Sequence, residues 1–476
     1  MEADQENIKR IVVAGASGFV GMDLLRRLSS HTQVIALTRS PQAPIHIPTH
    51  RHAGVYWLQC NLFSLKQTEA ALVDSDVAYF LVHSMMPSAR FTQGDYENLD
   101  LIIADNFSRA AALAGTKKLI YLGGIQPFAG YLSTHLRSRL EVENVLRCRN
   151  KNLVALRAGL ILGPGGSSSL ILVRLVKRLP VLVCPPWTNK LSSPIALRDA
   201  VSALVACANS TSIEPGAYDL AGPEELSYHE LMIRMADELN VNRFFVKIPY
   251  LKPAISQLWV TLITGASRQL VSPLIQSLLV DMIPGRTAPL FPFSEKKLPL
   301  IAALHQAELP RVRLEIGGVS IAPIAPPDKA DTVVSIQRLA LPQGWSALDM
   351  ARDFANWLPK SLVPIIRLEL TPDGNLIRFF LWGLSRALLE LEFVESRSDN
   401  QRALFFVVGG LLRKKNSNVL ARQEFRVVPE QQLVLSAILD FTPALPWIFY
   451  ILTQAQAHRW VMWRYARRLK RICQKN

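Results

Sequence analysis

The sequence contains few cysteines and no long uninterrupted apolar segment. Its five cysteines are scattered over 476 residues, none forms a C-x-x-C pair, and no His/Cys cluster has the spacing of zinc ligands. This pattern excludes a disulfide framework, predicts no metal site and indicates the reducing cytoplasm. The stretch nearest to a membrane span, residues 433–454, is interrupted by Asp440, Pro443 and Pro446, whereas a spanning helix needs about 20 apolar residues. The polar start MEADQENIKR leads straight into a strand and does not have the pattern of a signal peptide.

Acidic side chains are missing from the end of the chain. From Ile451 onward there are seven Lys/Arg residues and no Asp or Glu, and the whole chain has a formal net charge of +15. Such a basic segment favours an anionic partner. Three kinds of partner fit this description: a phosphate-bearing cofactor, a membrane surface and nucleic acid. The alternative is a solvated helix face. Because no nucleic-acid-binding motif is present, we do not expect a nucleic-acid partner.

The order of strands and helices divides the chain into regions. In residues 1–240, short apolar strands alternate with amphipathic helices, which predicts a doubly wound parallel sheet of the Rossmann type, an α/β fold. Residues 241–320 are helix-rich and apolar, which is typical of a substrate-side segment. Residues 321–331 form a Pro-rich linker. Residues 332–476 have the order β-α-β…β-α, which predicts an α+β domain with an antiparallel sheet around a long C-terminal helix.

A glycine-rich turn follows the first strand and opens the first helix. Gly15 permits the tight turn, Gly18 lets a pyrophosphate approach the backbone, and Gly21 lets the helix pack against the strand. Ser17 and the helix N-terminus offer hydrogen-bond donors to phosphate. The position of this pattern, at the start of an alternating βα array, predicts a dinucleotide site.

The residues after the next strands indicate the type of dinucleotide. NAD-binding proteins place Asp or Glu at the end of the second strand, but this chain has Arg39 and Ser40, which suit a 2′-phosphate. We therefore expect NADP(H) rather than NAD(H). The alternative is that Arg39 only solvates the strand end. Asn61 follows the third strand and is placed to pair with adenine. The positions after the fourth strand, expected beside the nicotinamide, are Leu81, Val82 and His83.

These stretches resemble the atypical short-chain dehydrogenase/reductases. The resemblance is to extended-type proteins described as NmrA-like or NAD(P)-binding epimerase-like, in a bacterial two-domain form with a C-terminal helix-grip-like domain. It rests on stretches such as VAGASGFVG, HLRSRLEVENVLR and LRAGLILGPGGSS, and it extends over nearly the whole chain. The resemblance implies phosphate contacts at Gly15, Ser17, Gly18 and Phe19. It also implies a 2′-phosphate contact at Arg39 and walls of the site at Leu81, Val82, His83, Gly123 and Gly124.

The catalytic pair of that family, Tyr-x-x-x-Lys, is absent from its expected place. The stretch YLSTHLRSR offers either His135 with Arg139, or Tyr131 with His135. In the first register His135 is the proton donor and Arg139 holds the ribose or a phosphate. The alternative is that Arg139 and Glu141 are surface charges and that His135 caps the helix. The Ser or Thr hydroxyl that the family carries at the end of the fifth strand is also missing, because the sequence there is YLGGI.

The sequence is compatible with three functions. The first is an NADP(H)-dependent oxidoreductase that reduces a hydrophobic carbonyl or quinone-like substrate. The second is a non-catalytic NADP-binding sensor or assembly factor, which the missing Tyr-Lys pair favours. The third is a lipid-binding peripheral protein that touches an anionic membrane surface through its basic C-terminal helix, at the inner face of a membrane.

Overall fold

The computed structural model describes residues 9–28, 32–40, 46–50, 53–83, 89–128, 130, 132–210, 212–249, 253–310, 313–316, 319–321, 324, 329–362, 365–371, 375–415 and 420–475. The chain divides into two compact units. The first unit contains Met1–Met86 and Asp100–Pro327, and the second contains Pro87–Leu99 and Asp328–Asn476.

The described residues contain β-strands, α-helices and two short 3₁₀ helices. The strands are β1 (Arg10–Ala14), β2 (Gln33–Thr38), β3 (His46–His50), β4 (Ala53–Gln59), β5 (Val77–Phe80), β6 (Ala89–Gln93), β7 (Lys118–Gly124), β8 (Leu153–Ala158), β9 (Ile161–Leu162), β10 (Val181–Cys184), β11 (Leu191–Ser192), β12 (Ile195–Ala196), β13 (Gly216–Leu220), β14 (Leu226–Ser227), β15 (Phe244–Lys247), β16 (Leu314–Ile316), β17 (Val319–Ile321), β18 (Ala330–Ala340), β19 (Ile366–Leu370), β20 (Leu376–Leu381), β21 (Ala387–Phe393), β22 (Arg402–Gly409), β23 (Arg422–Val428) and β24 (Leu433–Phe441). The α-helices are α1 (Phe19–Leu28), α2 (Leu65–Leu72), α3 (Tyr96–Leu113), α4 (Thr134–Arg149), α5 (Ser167–Arg178), α6 (Leu197–Asn209), α7 (Tyr228–Glu238), α8 (Pro253–Thr264), α9 (Arg268–Ser277), α10 (Leu300–Glu308), α11 (Ala347–Ser361), α12 (Trp447–Leu452) and α13 (Gln454–Lys475). The 3₁₀ helices are Pro186–Asn189 and Glu395–Arg397.

The first unit is built on a sheet of the predicted type. Its described strands lie in the order β13-β8-β7-β5-β1-β2-β4-β3, and all neighbours are parallel except β3, which pairs antiparallel with β4. The central strands are buried on both faces, as their unbroken apolar sequences require. The strand order reverses between β1 and β5, where doubly wound sheets bind ligands at the carboxyl ends of their strands. The α/β fold predicted from the sequence is confirmed.

Helices α8, α9 and α10 provide the helix-rich segment of the first unit. The buried residues Val260, Val271 and Ile275 belong to a core cluster that also contains Trp187. Two arginines of α5 anchor the end of α8, because Arg174 and Arg178 donate hydrogen bonds to the carbonyls of Thr264 and Ile263. Helices α5, α8 and α9 therefore pack together around a shared apolar core.

The second unit contains a mixed sheet. Its described strands lie in the order β19-β20-β21-β22-β23-β24-β18-β6, antiparallel throughout except for the parallel pair β18 and β6. The sequence predicts the antiparallel strands, a helix after the first of them and a long helix after the last. It does not predict β6. That strand lies between β5 and α3 in sequence, so no local pattern shows that it pairs with β18.

The long C-terminal helix packs onto this sheet together with α11. The side chains of Met462, Tyr465 and Leu469 are buried in the core of the second unit. Tyr465 donates a hydrogen bond to Asp353 of α11 (2.9 Å), and Arg468 pairs with the same carboxylate. The short α12 precedes α13, and its N-cap is Pro446. Within the described residues, none of the helices combines the length and the apolar character that crossing a membrane requires.

A buried ion cluster lies on the other face of β23 from the residues that face α11. Glu424 is fully buried and accepts hydrogen bonds from Arg402 (3.0 Å), Arg422 (3.1 Å) and Arg426 (2.5 Å). Burial opposes the charge of the carboxylate, but the three guanidinium groups overcome it and hold the pKa of Glu424 far below its usual range. Glu424 therefore stays ionised, and the cluster ties β22 to β23.

Candidate nucleotide and substrate site

The glycine-rich turn has the geometry that the sequence predicts. Gly15 follows β1 with φ +88°, and a Cβ there would lie 2.9 Å from the backbone of Leu81. A Cβ on Gly21 would lie only 2.3 Å from the carbonyl oxygen of Gly15. The Gly18 N–H donates to the same Gly15 oxygen (2.9 Å) and closes the turn at the start of α1. This turn brings backbone N–H groups and a helix N-terminus to the carboxyl edge of β1, a donor set that fits a pyrophosphate.

The other residues predicted to hold the pyrophosphate lie beside this turn. Ser17 and Phe19 stand at the N-terminal end of α1 and are half-buried. The ring of Phe19 fills the space next to Gly166, where a Cβ would lie 2.8 Å from it. Phe19 therefore packs α1 against the loop between β9 and α5, so its ring is used within the protein.

The residues predicted to select the dinucleotide lie at the ends of β2 and β4. Arg39 is exposed, whereas Ser40 is buried and its N–H donates to the Thr38 hydroxyl (3.1 Å). Of the two, Arg39 has the access that a 2′-phosphate needs. Asn61 forms a turn before α2, because its side-chain oxygen accepts a hydrogen bond from the Phe63 N–H (3.1 Å). That oxygen is thus used within the protein.

The positions predicted beside the nicotinamide line the carboxyl edge of the sheet. Leu81, Val82 and His83 follow β5, and the Leu81 N–H continues the sheet by donating to Ala14 (2.9 Å). Gly123 lies near the end of β7 and is half-buried like these three residues. Leu81, Val82 and His83 therefore lie at the point where the strand order reverses, and Gly123 lies on the next strand of the sheet.

A buried carboxylate connects two of the predicted site residues. The side chain of Asp100, on α3, is 1% exposed and lies 2.9 Å from the Nδ1 of His83. The same oxygen, Oδ2, is also paired with the guanidinium of Arg139 on α4. Because a carboxylate accepts, Nδ1 of His83 is the protonated ring nitrogen in this arrangement. The pKa of His83 is lowered, by burial first and by the positive charge of Arg139 second.

This geometry contradicts the interpretation of Arg139 and Glu141 as surface charges. Both residues are buried, each 6% exposed, because this face of α4 packs into the first unit. His135 does not cap the helix either. The N-cap is Ser133, whose hydroxyl accepts a hydrogen bond from the Leu136 N–H (3.2 Å). The guanidinium of Arg139 neutralises Asp100. Its first role is therefore structural, and any contact with a bound molecule comes in addition to this pair.

His135 lies in the first turn of α4, next to His83. The two imidazole rings have their centroids 5.1 Å apart. Burial, the neighbouring His83 and the charge of Arg139, in that order, lower the pKa of His135 to about 3. Its Nδ1 is buried and has no hydrogen-bond partner within the described residues. His135 is therefore a neutral imidazole at physiological pH, with ring hydrogen-bonding capacity that the protein does not use.

An apolar cavity of about 170 Å³ opens beside His135. Its floor is the carboxyl edge of the sheet, at Gly124 and Ala158. Its walls are apolar side chains of α5, α7, α8 and α9, among them Leu172, Met232 and Val260. The helix-rich segment thus contributes directly to this cavity, with His135 among its few polar lining residues.

The sequence-based prediction of the site includes Tyr131 and omits Asp100. Tyr131, the proton donor in the second register, lies outside the described residues. The sequence does not predict the role of Asp100, the residue that joins His83 to Arg139. The signal that points to it is an acid within the apolar helix segment LDLIIADNF. An ionisable side chain on the buried face of a helix needs a partner.

The first unit has a fold of the Rossmann type, as its strand order and glycine-rich turn show. Residues 11–145 match the NAD dependent epimerase/dehydratase family. The chain is 32% identical over 115 residues to the auxiliary protein GraX of Staphylococcus aureus, a match that spans 24% of this chain and 36% of that protein. The chain therefore covers about a third of the length of this curated relative.

Solved structures show limited similarity to the chain. A nucleoside-diphosphate-sugar epimerase from Staphylococcus aureus is 14% identical, with a TM-score of 0.47 over 63% of this chain and 100% of its own. Triphenylmethane reductase from Citrobacter sp., solved with NADP(H), is 15% identical, with a TM-score of 0.46 over 62% of this chain and 99% of its own.

Proposed function

We propose that the first unit is an NADP(H)-dependent reductase of an apolar carbonyl or quinone-like substrate. The observation that carries this proposal is the apolar cavity beside His135, which meets the carboxyl edge of the sheet at Gly124. In doubly wound sheets that edge is where a dinucleotide and its reaction partner meet. The wall is dominated by aliphatic side chains, so an uncharged and largely hydrocarbon substrate matches it better than a sugar nucleotide does.

The chain offers residues for each part of the dinucleotide. Gly15, Ser17 and Gly18 would hold the pyrophosphate, and the exposed Arg39 would pair with the 2′-phosphate that distinguishes NADP from NAD. Leu81 and Gly123 would form the walls of the nicotinamide pocket. When bound, the cofactor supplies the hydride.

His135 orients the substrate oxygen in this proposal. A neutral imidazole offers one N–H donor, and we assign the donation to Nδ1, because that atom has no partner within the described residues. Because its pKa is about 3, the ring does not carry a second proton at physiological pH. His135 is thus proposed as a hydrogen-bond donor that stabilises developing negative charge, rather than as a charged acid, and the proton that completes the reduced product is taken from water. His83, fixed by Asp100, acts as a positioning residue because its ring packs on that of His135.

NADPH oxidation with a panel of quinones and apolar enals tests the proposal. We expect turnover with at least one apolar acceptor and a loss of about 10²-fold in kcat for His135→Ala, since one donor to a developing oxyanion has that order of effect. NADPH affinity should change little. The matched control is His305→Ala, an exposed histidine of α10. NADPH binding without turnover on any acceptor would favour the alternative, a non-catalytic NADP sensor or assembly factor.

A specific surface of the second unit favours an additional membrane role. Helix α12 exposes Ile448 (71%), Phe449 (61%) and Leu452 (68%). Helix α13 contains seven Lys/Arg residues and no acid, with Arg464 and Arg467 stacked on the exposed rings of Trp460 and Trp463. Exposed apolar side chains next to aromatic and basic ones suit the interface of an anionic bilayer. We propose that this surface docks on anionic lipid.

Co-sedimentation with vesicles tests the membrane proposal. We expect binding to phosphatidylcholine vesicles that contain phosphatidylglycerol, weaker binding at high salt, and little binding to phosphatidylcholine alone. Phe449→Asp should weaken the binding, whereas Phe128→Asp, a change at an exposed phenylalanine of the first unit, should not. Equal sedimentation of both variants and the unchanged protein would refute the role of α12.

A further inference from the structure

A second and larger cavity, of about 610 Å³, lies inside the second unit. It is lined mainly by residues of the sheet, of α11 and of α13. Among the described residues that line it, none is Asp, Glu, Lys or Arg, and most are aliphatic or aromatic. Its size falls within the roughly 300–1,000 Å³ of small-molecule pockets. This cavity is distinct from the one at His135, which is lined by residues of the first unit.

Most polar groups on the wall of this cavity are already used within the protein. The Ser335 hydroxyl donates to Gln93 (3.1 Å), the Gln423 amide donates to Ser436 (3.0 Å), and the Thr453 hydroxyl donates to the Phe449 carbonyl (2.5 Å). These side chains stabilise the sheet and the helix, so none of them needs a hydrogen bond from a ligand.

Two buried polar atoms on the wall are not used in this way. Gln454 and His458 both line the cavity, and the Oε1 of Gln454 and the Nε2 of His458 are buried without a hydrogen-bond partner within the described residues. They lie four residues apart on α13, hence on the same face of the helix. Unmatched buried polar atoms are rare in folded proteins because each forfeits its hydrogen bonds to water. A polar group that belongs to a ligand would satisfy both.

The chemistry of the two atoms limits that group. An amide oxygen only accepts a hydrogen bond, so the ligand must bring a donor to Gln454. Burial lowers the pKa of His458 to about 4, so its ring is neutral at physiological pH and can donate through Nε2–H. A hydroxyl both donates and accepts, and so matches both atoms at once. A carboxylate brings no donor and would find no countercharge on the wall, and an ammonium group would find no anion.

We propose that the second unit binds an uncharged lipid-like alcohol, with its hydroxyl between Gln454 and His458 and its hydrocarbon part in the 610 Å³ cavity. Hydrocarbon burial supplies most of the affinity, and the hydroxyl sets the chemical class. This site does not depend on the reductase proposed for the first unit, since it uses none of that unit's residues.

Displacement of the uncharged fluorophore N-phenylnaphthylamine from the full-length chain tests the proposal. We expect decanol to displace it about tenfold more tightly than decane, decanoate or decylammonium do, which is the effect of one or two buried hydrogen bonds. Ala355→Phe, which fills this cavity, should abolish the displaceable signal. Val260→Phe, which fills the cavity of the first unit, should leave it in place.

Single substitutions on α13 decide whether the two polar atoms select the ligand. Gln454→Met and His458→Phe should each reduce decanol affinity severalfold and leave decane affinity unchanged, while His458→Asn should retain part of the selectivity. Gln456→Met, at an exposed glutamine of the same helix, is the matched control. The proposal is wrong if decanoate binds as tightly as decanol, if the fluorophore is not taken up, or if Gln454→Met keeps full selectivity. Gln454→Met alone decides the matter if His458→Phe does not fold.

Discussion

Asp100 and Arg139 form an ion pair inside the first unit, with side chains 1% and 7% exposed. They are 39 residues apart in sequence and come from α3 and α4. Asp100 also accepts a hydrogen bond from His83. One carboxylate therefore joins α3, α4 and the segment after β5 at the carboxyl edge of the sheet. The orientation of His83, and of His135 packed on it, therefore depends on Asp100.

Replacing Asp100 should be much more costly than replacing an exposed acid. In Asp100→Asn the guanidinium of Arg139 keeps its charge in a buried place and loses its ion pair with Asp100, which costs about 3–5 kcal/mol of unfolding free energy. In the double variant Asp100→Leu with Arg139→Met, both charges are gone and the loss should be smaller. The matched control is Arg26→Met, which removes the partner of Asp23 in an exposed pair and should cost less than about 1 kcal/mol. Urea unfolding of the four proteins measures the coupling, and equal losses in the single and double variants would contradict it.

Gly21→Ala should destabilise the first unit and weaken dinucleotide binding. The added Cβ would meet the Gly15 oxygen at 2.3 Å and the Cα of Ala16 at 2.8 Å, both backbone atoms that cannot rotate away. Such overpacking costs about 1–3 kcal/mol or more. Gly216→Ala is the control, because a Cβ there meets only the Tyr218 ring, at 3.7 Å. Thermal unfolding and NADPH titration would show a large effect for the first substitution and little for the second.

Arg39→Asp should reverse the preference between the two dinucleotides. The acid repels a 2′-phosphate and accepts hydrogen bonds from ribose hydroxyls, which is the pattern of NAD-binding proteins. We expect NADPH affinity to fall by about tenfold or more and NADH affinity to hold or rise. Lys66→Asp makes the same change of charge at an exposed position of α2. It controls for the general effect of charge on the binding of an anionic dinucleotide. If both substitutions lower NADPH affinity equally, Arg39 does not select the cofactor.

The sequence predicts those parts of the molecule whose causes are local. Alternating βα elements determine the parallel sheet, and the glycines at positions 15, 18 and 21 reflect steric demands of one turn. Strand β6 could not be predicted in the same way, because its partner β18 lies more than 200 residues away and only the tertiary structure brings them together. The sequence does not predict the edge strand β3 either, since HIPTH has a central proline and no apolar run.

The candidate site shows the same division. Helix periodicity predicts that His135 and Arg139 share a face of α4, but it does not predict the partner of Arg139, because Asp100 comes from another helix. The pKa of His135 could not be inferred either. The sequence suggests the ordinary histidine value, whereas burial and two positively chargeable neighbours produce the low one. Charges and burial are properties of the packed unit rather than of the motif.

Replacing His135 by Gln should make the first unit less sensitive to acid. In the unfolded chain His135 binds a proton as the pH falls below about 6.5, while in the folded chain its pKa is about 3. Between these values the unfolded state binds more protons, so unfolding becomes easier as the pH falls from about 6.5 toward 3. For a histidine that stays neutral in the folded state, this loss of unfolding free energy is on the order of 1.4 kcal/mol per pH unit. His135→Gln has no imidazole at this position and does not lose stability in this way.

The measurement is the unfolding midpoint of each protein at pH 7 and at pH 4. We expect His135→Gln to lose less stability than the unchanged protein over this range, whatever its stability at pH 7. His305→Gln, at a histidine whose side chain is 64% exposed, should follow the unchanged protein. If His135→Gln and His305→Gln show the same pH dependence, then His135 is not held neutral. Its role as an uncharged hydrogen-bond donor would have to be abandoned in favour of a protonated acid.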